Sequence, residues 1–305
     1  MSAALDDFLE LLDLEAIEVN IFRGQNRFLG WNRVFGGQVL AQALVAASRT
    51  VPEDRPCHSM HAYFILPGDV KAPIVYEVDR IRDGGSFTTR RVVAIQHGRP
   101  IFNMSASFQR VEEGIEHQDT MPDVPGPEGL PTELELLTER ADRLPTSVRD
   151  VYLQPRPFEF RPVHPSDPFA PEASPPVHDI WFRTTGTVTE GEGPSADDWA
   201  ALLVHQAVLA YVSDHNLLGS AIRPHALTFF DPNLQAASLD HALWFHRPFR
   251  ADEWLLYHVA SPSASGARGL ALGQIYAQDG RLVASVAQEG LLRQKAGKNA
   301  RVGVG

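Results

Sequence analysis

Three side chains in the C-terminal half have the types and the setting for water chemistry: Asp214, Ser238 and Gln288. Asp214 follows an apolar stretch in which Trp199, Leu202, Leu203, Val204, Val208, Leu209 and Val212 point in every direction around a 3.6-residue turn. A helix that is apolar all round is buried on all sides. Its C-terminal carboxylate is therefore buried too, where that helix's own dipole gives it no help. Gln288 shares one face of a strand with Leu282, Ala284 and Val286, the face turned to the helix. A buried amide without partners costs about 1–3 kcal/mol, so Gln288 needs a partner, and the polar residues of the helix, Asp214 among them, are the nearest. Ser238 stands beside Asp240 and His241 on the same sheet. A carboxylate, a hydroxyl and an amide converging in a dry groove hold and polarise one water, which is general-base or water-orienting chemistry without a covalent intermediate. Two plainer readings stand beside this one: Asp214-His215-Asn216 as an ordinary polar turn, and Gln288 as a surface residue near a strand end.

Positioning these groups takes a helix, a sheet and a repeat. Gly36-Gly37 leads into a second all-apolar helix over residues 38–51, ended by Val51-Pro52. Strands follow over 58–66, 73–82, 86–96 and 99–110, with His97-Gly98 as a two-residue hairpin. The order then returns. A strand over 179–188 precedes the helix of 197–218, opened by the capping types Ser195, Asp197 and Asp198. Strands over 241–249, 253–259, 269–278 and 281–293 come next, with Asp279-Gly280 as a type I′ turn. Setting Gln96-His97-Gly98-Arg99 on Gln278-Asp279-Gly280-Arg281 gives a constant offset of 182. The chain is thus an internal duplication, and one sheet curling round a central helix accounts for two helices that lack a polar face. At this offset Ala106 stands where Gln288 stands. The first helix offers Gln42 and Ser48 but no acid between Gly36 and Val51, so only the second half carries the constellation.

The remaining segments divide the chain. Residues 5–17 read as an amphipathic helix with Leu5, Phe8, Leu9, Leu12 and Ile17 on one side. Of 23 prolines, 13 lie between Met121 and Val177, a density that forbids a regular sheet interior or a long helix. That connector holds a short helix over 132–144 and an isolated strand over 158–163. The expected organisation is an N-terminal domain over 1–117, a Pro-rich connector over 118–150, a C-terminal domain over 151–293 carrying the chemistry, and a flexible tail over 294–305.

Composition bounds the class. The 305 residues are 44% hydrophobic and 21% charged, ordinary globular values. The net charge of −11 argues against a nucleic-acid or membrane-surface binder. The single cysteine, Cys57, excludes an intrachain disulfide and a Cys-rich zinc site and fits a reducing, cytoplasmic setting. The N-terminal stretch has no basic n-region, so no signal peptide is expected, and no run of about 18 apolar residues predicts a membrane span. G-x-S-x-G, P-loop, H-E-x-x-H and Rossmann patterns are absent. Gly36-Gly37 and Gly84-Gly85 are too short to cradle phosphate. The twelve histidines are scattered; His58/His61 and His241/His246 flank strands as packing or capping residues, without carboxylates at ligand spacing. No metal and no cofactor are expected.

Taken together, Phe22-Arg23-Gly24, Val34-Phe35-Gly36-Gly37-Gln38, His58-Ser59-Met60-His61-Ala62-Tyr63-Phe64, Arg82-Asp83-Gly84-Gly85-Ser86-Phe87, Ser213-Asp214, Asp240-His241-Ala242-Leu243-Trp244-Phe245-His246, Ser263-Ala264-Ser265 and Gln288-Glu289-Gly290 resemble the type II acyl-CoA thioesterases from about Leu5 to Arg293. The resemblance implies an α+β double hot dog fold, two tandem antiparallel sheets each wrapped around a long central helix. It implies hydrolysis of acyl-CoA, with medium- to long-chain fatty acyl-CoA the expected substrate. The family's catalytic Asp falls on Asp214 and its Gln on Gln288. Its hydroxyl residue, usually Thr, falls on Ser238, which keeps the hydroxyl but loses a methyl that stiffens the rotamer. His58 takes a structural or supporting role. An oxyanion needs N–H donors, and a backbone amide is expected there. CoA phosphates need local cations, for which Arg90, Arg91, Arg247, Arg250 and Arg268 are candidates. Apolar residues between helix and sheet are expected to form the acyl tunnel. A homodimer or larger homo-oligomer is expected, with acyl-CoA as the only ligand. Two alternatives stand: a hot dog hydratase or dehydratase, for which the helix histidine is His205, and a non-catalytic acyl-CoA binder.

Overall fold

The computed structural model describes residues 2–29, 33–144, 146–191 and 198–295, and of residues 147 and 148 the backbone. The first helix, α1 (Ala3–Leu12), is capped by Ser2, whose hydroxyl accepts from the Leu5 N–H. It stops five residues short of the expected Ile17. Asp13 leaves the helical conformation, and β1 (Glu15–Glu18) pairs back on β2 (Ile21–Gly24) through Asn20 at φ +63°, a left-handed conformation that Asn tolerates. Ile17 is therefore an exposed strand residue. The next helix, α2 (Gly36–Ser48), has every residue from Gly37 to Ser48 buried. Then come β3 (Cys57–Phe64), β4 (Ile74–Asp83), β5 (Phe87–Gln96) and β6 (Arg99–Gln109). His97 and Gly98 both take positive φ between β5 and β6, as the type I′ turn requires.

In the connector, α3 (Glu133–Thr138) opens on a capping box between Thr132 and Glu135. The expected helix to residue 144 breaks there: the Arg140 guanidinium takes the Leu136 carbonyl, and a single 3₁₀ turn, Ala141–Arg143, follows. An unforeseen helix, α4 (Thr146–Tyr152), comes next. The strand β7 (Phe158–Pro162) is not isolated but pairs with β8 (Val177–Thr184), and its proline sits at the end of an edge strand, where no ladder donor is lost.

The C-terminal helix, α5 (Trp199–Ser213), starts at Asp198, whose side chain accepts from the Ala201 N–H, and ends on Asp214. Ser195 and Asp197, also expected as caps, lie outside the described residues. The helix ends before residue 218 because the chain turns through Asn216 at φ +58° into α6 (Gly219–Ile222). The remaining strands are β9 (Leu234–Ser238), β10 (Asp240–Phe245), β11 (Leu255–Ser265), β12 (Arg268–Ala277) and β13 (Leu282–Gln294). The β12–β13 loop departs from the type I′ expectation. Ala277 donates to the Arg281 carbonyl across three loop residues, of which only Gly280 takes positive φ. Of the tail expected over 294–305, Gln294 closes β13 and Lys295 donates to the Asn233 carbonyl; residues 296–305 lie outside the described residues.

The strands form one sheet in the order β1-β2-β4-β5-β6-β3-β10-β13-β12-β11-β8-β7, with β9 also on β13. Its two halves mirror each other about the antiparallel seam between β3 and β10, where His241 lies opposite Ala62. The two sheets of the double hot dog are thus joined edge to edge. The two long helices lie against each other inside, within one buried apolar cluster, which is why neither can have a polar face.

Candidate active site

Asp214 is the C-cap of α5, in αR conformation with its N–H on the Val212 carbonyl. The Ser213 carbonyl beside it accepts a 2.7 Å bond from the buried Tyr257 hydroxyl, which pins this helix end to β11. Across from it is the start of α2. The Gly37 N–H donates to Asp214 Oδ2 at 2.9 Å, and α2 has no side-chain cap of its own. The carboxylate of one helix thus caps the other, and the positive end of α2 supplies the dipole that α5 denies. The approach is close enough to require glycines. A Cβ on Gly36 would lie 2.6 Å from Asp214 Oδ2, and one on Gly37 would lie 2.2 Å from the Tyr211 carbonyl oxygen.

The sheet brings the other two groups to the same place. Ser238, the last residue of β9, lies opposite Gly290, two residues along β13 from Gln288. The Ser238 hydroxyl donates to Asp214 Oδ1 at 3.3 Å, and Gln288 Nε2 donates to Ser238 Oγ at 2.8 Å. Gln288 is buried, so its amide is the inward, partnered group of the sequence reading, with Ser238, His241 and Asp214 as its partners. Burial pushes the Asp214 carboxyl up to about 6, against hydrogen bonding from Gln288, Gly37 and Ser238 and the charge of His215. Aromatic rings make the surroundings dry: Tyr211 packs edge-on to Phe35 and Phe8, and His215 stacks on Phe160 at 4.1 Å. A carboxylate near pKa 6 with an aligned hydroxyl and amide can take a proton from a water near neutral pH.

His58 is not part of this group. It lies near the far end of β3, with Nε2 2.8 Å from Ser107 Oγ, roughly 13 Å along the strand from the position opposite His241. His205, the helix histidine of the hydratase alternative, is buried and held by Thr189 and the Ala251 N–H. No hydrogen bond among the described residues links it to Asp214.

The five arginines divide. Arg90 is 1% exposed and spends its donors on Thr50, the Arg82 and Thr89 carbonyls and Asp83. Arg250 is likewise committed, to Asp252 and the carbonyls of Thr189 and Gly191. These two are structural and unsuited to phosphate. Arg247 reaches the Leu282 carbonyl at the hairpin end of the sheet, and Arg91 lies opposite Asp79 on β4. Arg268 is half exposed, bonds Glu289 beside Gln288, and lies opposite Leu291, which also faces Ala237 of β9. Arg33, passed over in the sequence, donates to the Ala236 carbonyl next to the same strand end.

The duplicated half shows what the site replaced. Cys57 lies opposite Phe108 as Ser238 lies opposite Gly290, and Phe108 and Gly290 stand at the offset of 182. Ala106 lies opposite Met60. Burial pushes the Cys57 thiol up to about 12, which makes it inert near neutral pH.

Comparison with known proteins bears on the family and the fold. The family described as acyl-CoA thioesterase matches residues 154–291, and the acyl-CoA thioesterase N-terminal domain matches residues 29–109. Acyl-CoA thioesterase 2 of Haemophilus influenzae is 43% identical over 96% of this chain and 99% of its own length. The crystal structure of an acyl-CoA thioesterase II, TesB2, from Mycobacterium marinum is 41% identical, superposes with a TM-score of 0.75, and is covered over 99% of its chain by 96% of this one. A hot dog fold protein from Alicyclobacillus acidocaldarius, 20% identical, superposes with a TM-score of 0.73 over 97% of this chain and 100% of its own.

Proposed function

The chain belongs to the acyl-CoA thioesterase family, and on that premise we propose that it hydrolyses acyl-CoA to free acid and CoA with Asp214 as the base. The observation that carries this is the convergence of Asp214, Ser238 and Gln288 at the point where two helix ends meet. A water held between the Gln288 amide and Asp214 gives a proton to the carboxylate. Its oxygen bonds to the thioester carbonyl carbon, and the oxyanion forms at the N-terminus of α2, where the positive end of the helix dipole stabilises it. The C–S bond then breaks, and the CoA thiolate takes the proton back from Asp214. Ser238 holds the carboxylate and the amide in register and forms no covalent bond.

The apolar rings around Asp214, Phe35 and Tyr211, suit a medium- to long-chain acyl group, and Arg33 and Arg268 at the rim suit the CoA phosphates. The domain division of the sequence reading, with the chemistry in the C-terminal half, belongs to the same proposal, as does a cytoplasmic homo-oligomer. No helix among the described residues is long and apolar enough to cross a membrane, and exposed Tyr63, Ile65 and Leu66 offer apolar surface for a second copy.

The test is thiol release from saturated acyl-CoAs of increasing chain length, for the wild type and for Asp214→Asn. Release by the wild type and its loss in the folded variant is the expected result. A hydratase releases no thiol from a saturated substrate, and a binder saturates without turnover; either outcome overturns the proposal.

A further inference from the structure

His241 lies in the second layer of the site, buried between the helix and β13. Its Nδ1 is 2.5 Å from Gln288 Oε1 and its Nε2 is 2.9 Å from Ser213 Oγ. The direction of these bonds follows from the carboxylate. Ionised Asp214 only accepts, so Ser238 donates to it. The Ser238 oxygen then accepts from Gln288 Nε2, which turns Gln288 Oε1 toward the histidine. Nδ1 must therefore carry the proton, and Nε2 is left as an acceptor 2.9 Å from Ser213 Oγ, whose single proton also has the Ala210 carbonyl within 2.9 Å. From His241 onward every donor runs one way, through Gln288 and Ser238 to Asp214. Burial holds the imidazole down to about 4, so it stays neutral with one N–H.

We infer that His241 is a positioning residue for hydrolysis, which fixes the flip state of the Gln288 amide so that its N–H groups, and not its oxygen, face Ser238 and the water. The duplicated half supports this. Continuing the register of Ala242 opposite Ala287 by one step puts His241 opposite Gln288, and Met60 is opposite Ala106 in the first half. Packing alone is met by a methionine in that setting. The last residue of α2 is Ser48, as the last of α5 is Ser213, and the buried Ser48 hydroxyl has no hydrogen-bond partner among the described residues. Histidine therefore accompanies the amide, and where the amide is missing so is the chain of bonds.

This inference rests on the reading of Gln288 as the amide that orients water, and the experiment separates the two. Steady-state thiol release is measured for Gln288→Ala, His241→Met, His241→Asn and the Gln288→Ala/His241→Met double variant. His241→Met is expected to lower kcat about tenfold or more with KM within about twofold, the loss of one buried hydrogen bond acting in the transition state. His241→Asn, whose amide N–H falls where Nδ1–H was, recovers most of the loss. On the Gln288→Ala background His241→Met has no further effect, because it acts through that amide. Full activity in Gln288→Ala overturns the catalytic reading of Gln288 and this inference with it. Loss in Gln288→Ala with full kcat in His241→Met overturns the inference alone. Additive losses in the double variant, or equal losses in His241→Met and His241→Asn with lowered Tm, make His241 a packing residue and also overturn it.

Discussion

The N–H of Gly37, in the first turn of α2, points at Oδ2 of Asp214 across 2.9 Å, although 177 residues separate them in the chain. The acid at the end of one buried helix is held by the beginning of the other. The C-terminal half carries the acid, and its setting depends on a donor from the N-terminal half. Gly37→Ala tests this. Its Cβ would meet the backbone oxygen of Tyr211 at 2.2 Å, which only a shift of one helix end relieves. Such a shift moves the donor off the carboxylate, and a displacement of about 1 Å at a catalytic group costs about 100-fold. A fall in kcat of that order, in a variant whose circular dichroism matches the wild type, is the expected result; wild-type kcat contradicts the coupling.

The raised Asp214 carboxyl sets the acid limb of the rate. The base must be ionised, so kcat/KM is expected to rise through about pH 6 with unit slope and to level off above it. A limb near the ordinary value of 3.8 contradicts the burial argument.

The same shift has a stability consequence of opposite sense. A folded pKa above the unfolded one means that the folded state binds the proton more tightly, so the stabilisation is present below pH 3.8 and is lost as pH rises to about 6. At neutral pH the ionised carboxylate then destabilises the fold by at most about 3 kcal/mol. Asp214→Asn, nearly the same shape and able to accept from Gly37, should raise Tm at pH 7 while turnover is lost. An unchanged or lowered Tm would show that the hydrogen bonds outweigh desolvation.

Ser238 accepts from Gln288 and donates to Asp214, so its hydroxyl is the middle of the chain of bonds. Ser238→Ala leaves the Gln288 N–H without its acceptor and is expected to lower kcat about tenfold to 100-fold. Ser238→Thr keeps the hydroxyl on a stiffer rotamer and should hold kcat within about threefold. Equal losses in the two variants would assign the site to packing and not to the hydroxyl.

The sequence was most legible where periodicity and duplication act together. Two helices without a polar face require a sheet around both, and the offset of 182 sets Gln288 against Ala106 without any coordinates. Ser238 has a weaker signal: β9 lacks apolar alternation, and this serine is marked only by its place beside Asp240 and His241 and by the family resemblance. The Gly36-Gly37 pair reads as too short for a phosphate cradle. Its role with Asp214 comes from helix packing, which no local pattern encodes. His241 reads as a packed histidine because burial alone does not tell which atoms its nitrogens meet. The β12–β13 loop differs from its counterpart by one residue, a change that Asp279-Gly280 does not announce.

Arginine type alone does not tell a phosphate ligand from a buried strut, and the contrast between Arg90 and the rim pair is testable. Arg90 serves Thr50 at the end of α2, two backbone carbonyls on β4 and β5, and Asp83. Arg90→Met leaves buried acceptors unmet at about 1–3 kcal/mol each, so thermal denaturation should begin several degrees lower, with KM for acyl-CoA unchanged. Arg33 and Arg268 lie at solvent beside the strand end that carries Ser238. Removing either charge to Ala should raise KM several-fold with kcat nearly constant, because a remote phosphate is held equally in ground and transition states. The effect should shrink as salt is added, since exposed charges are screened within about 10 Å at 0.1 M. A KM rise in Arg90→Met, or none in the Arg33→Ala/Arg268→Ala double variant, would move the CoA phosphates away from this rim.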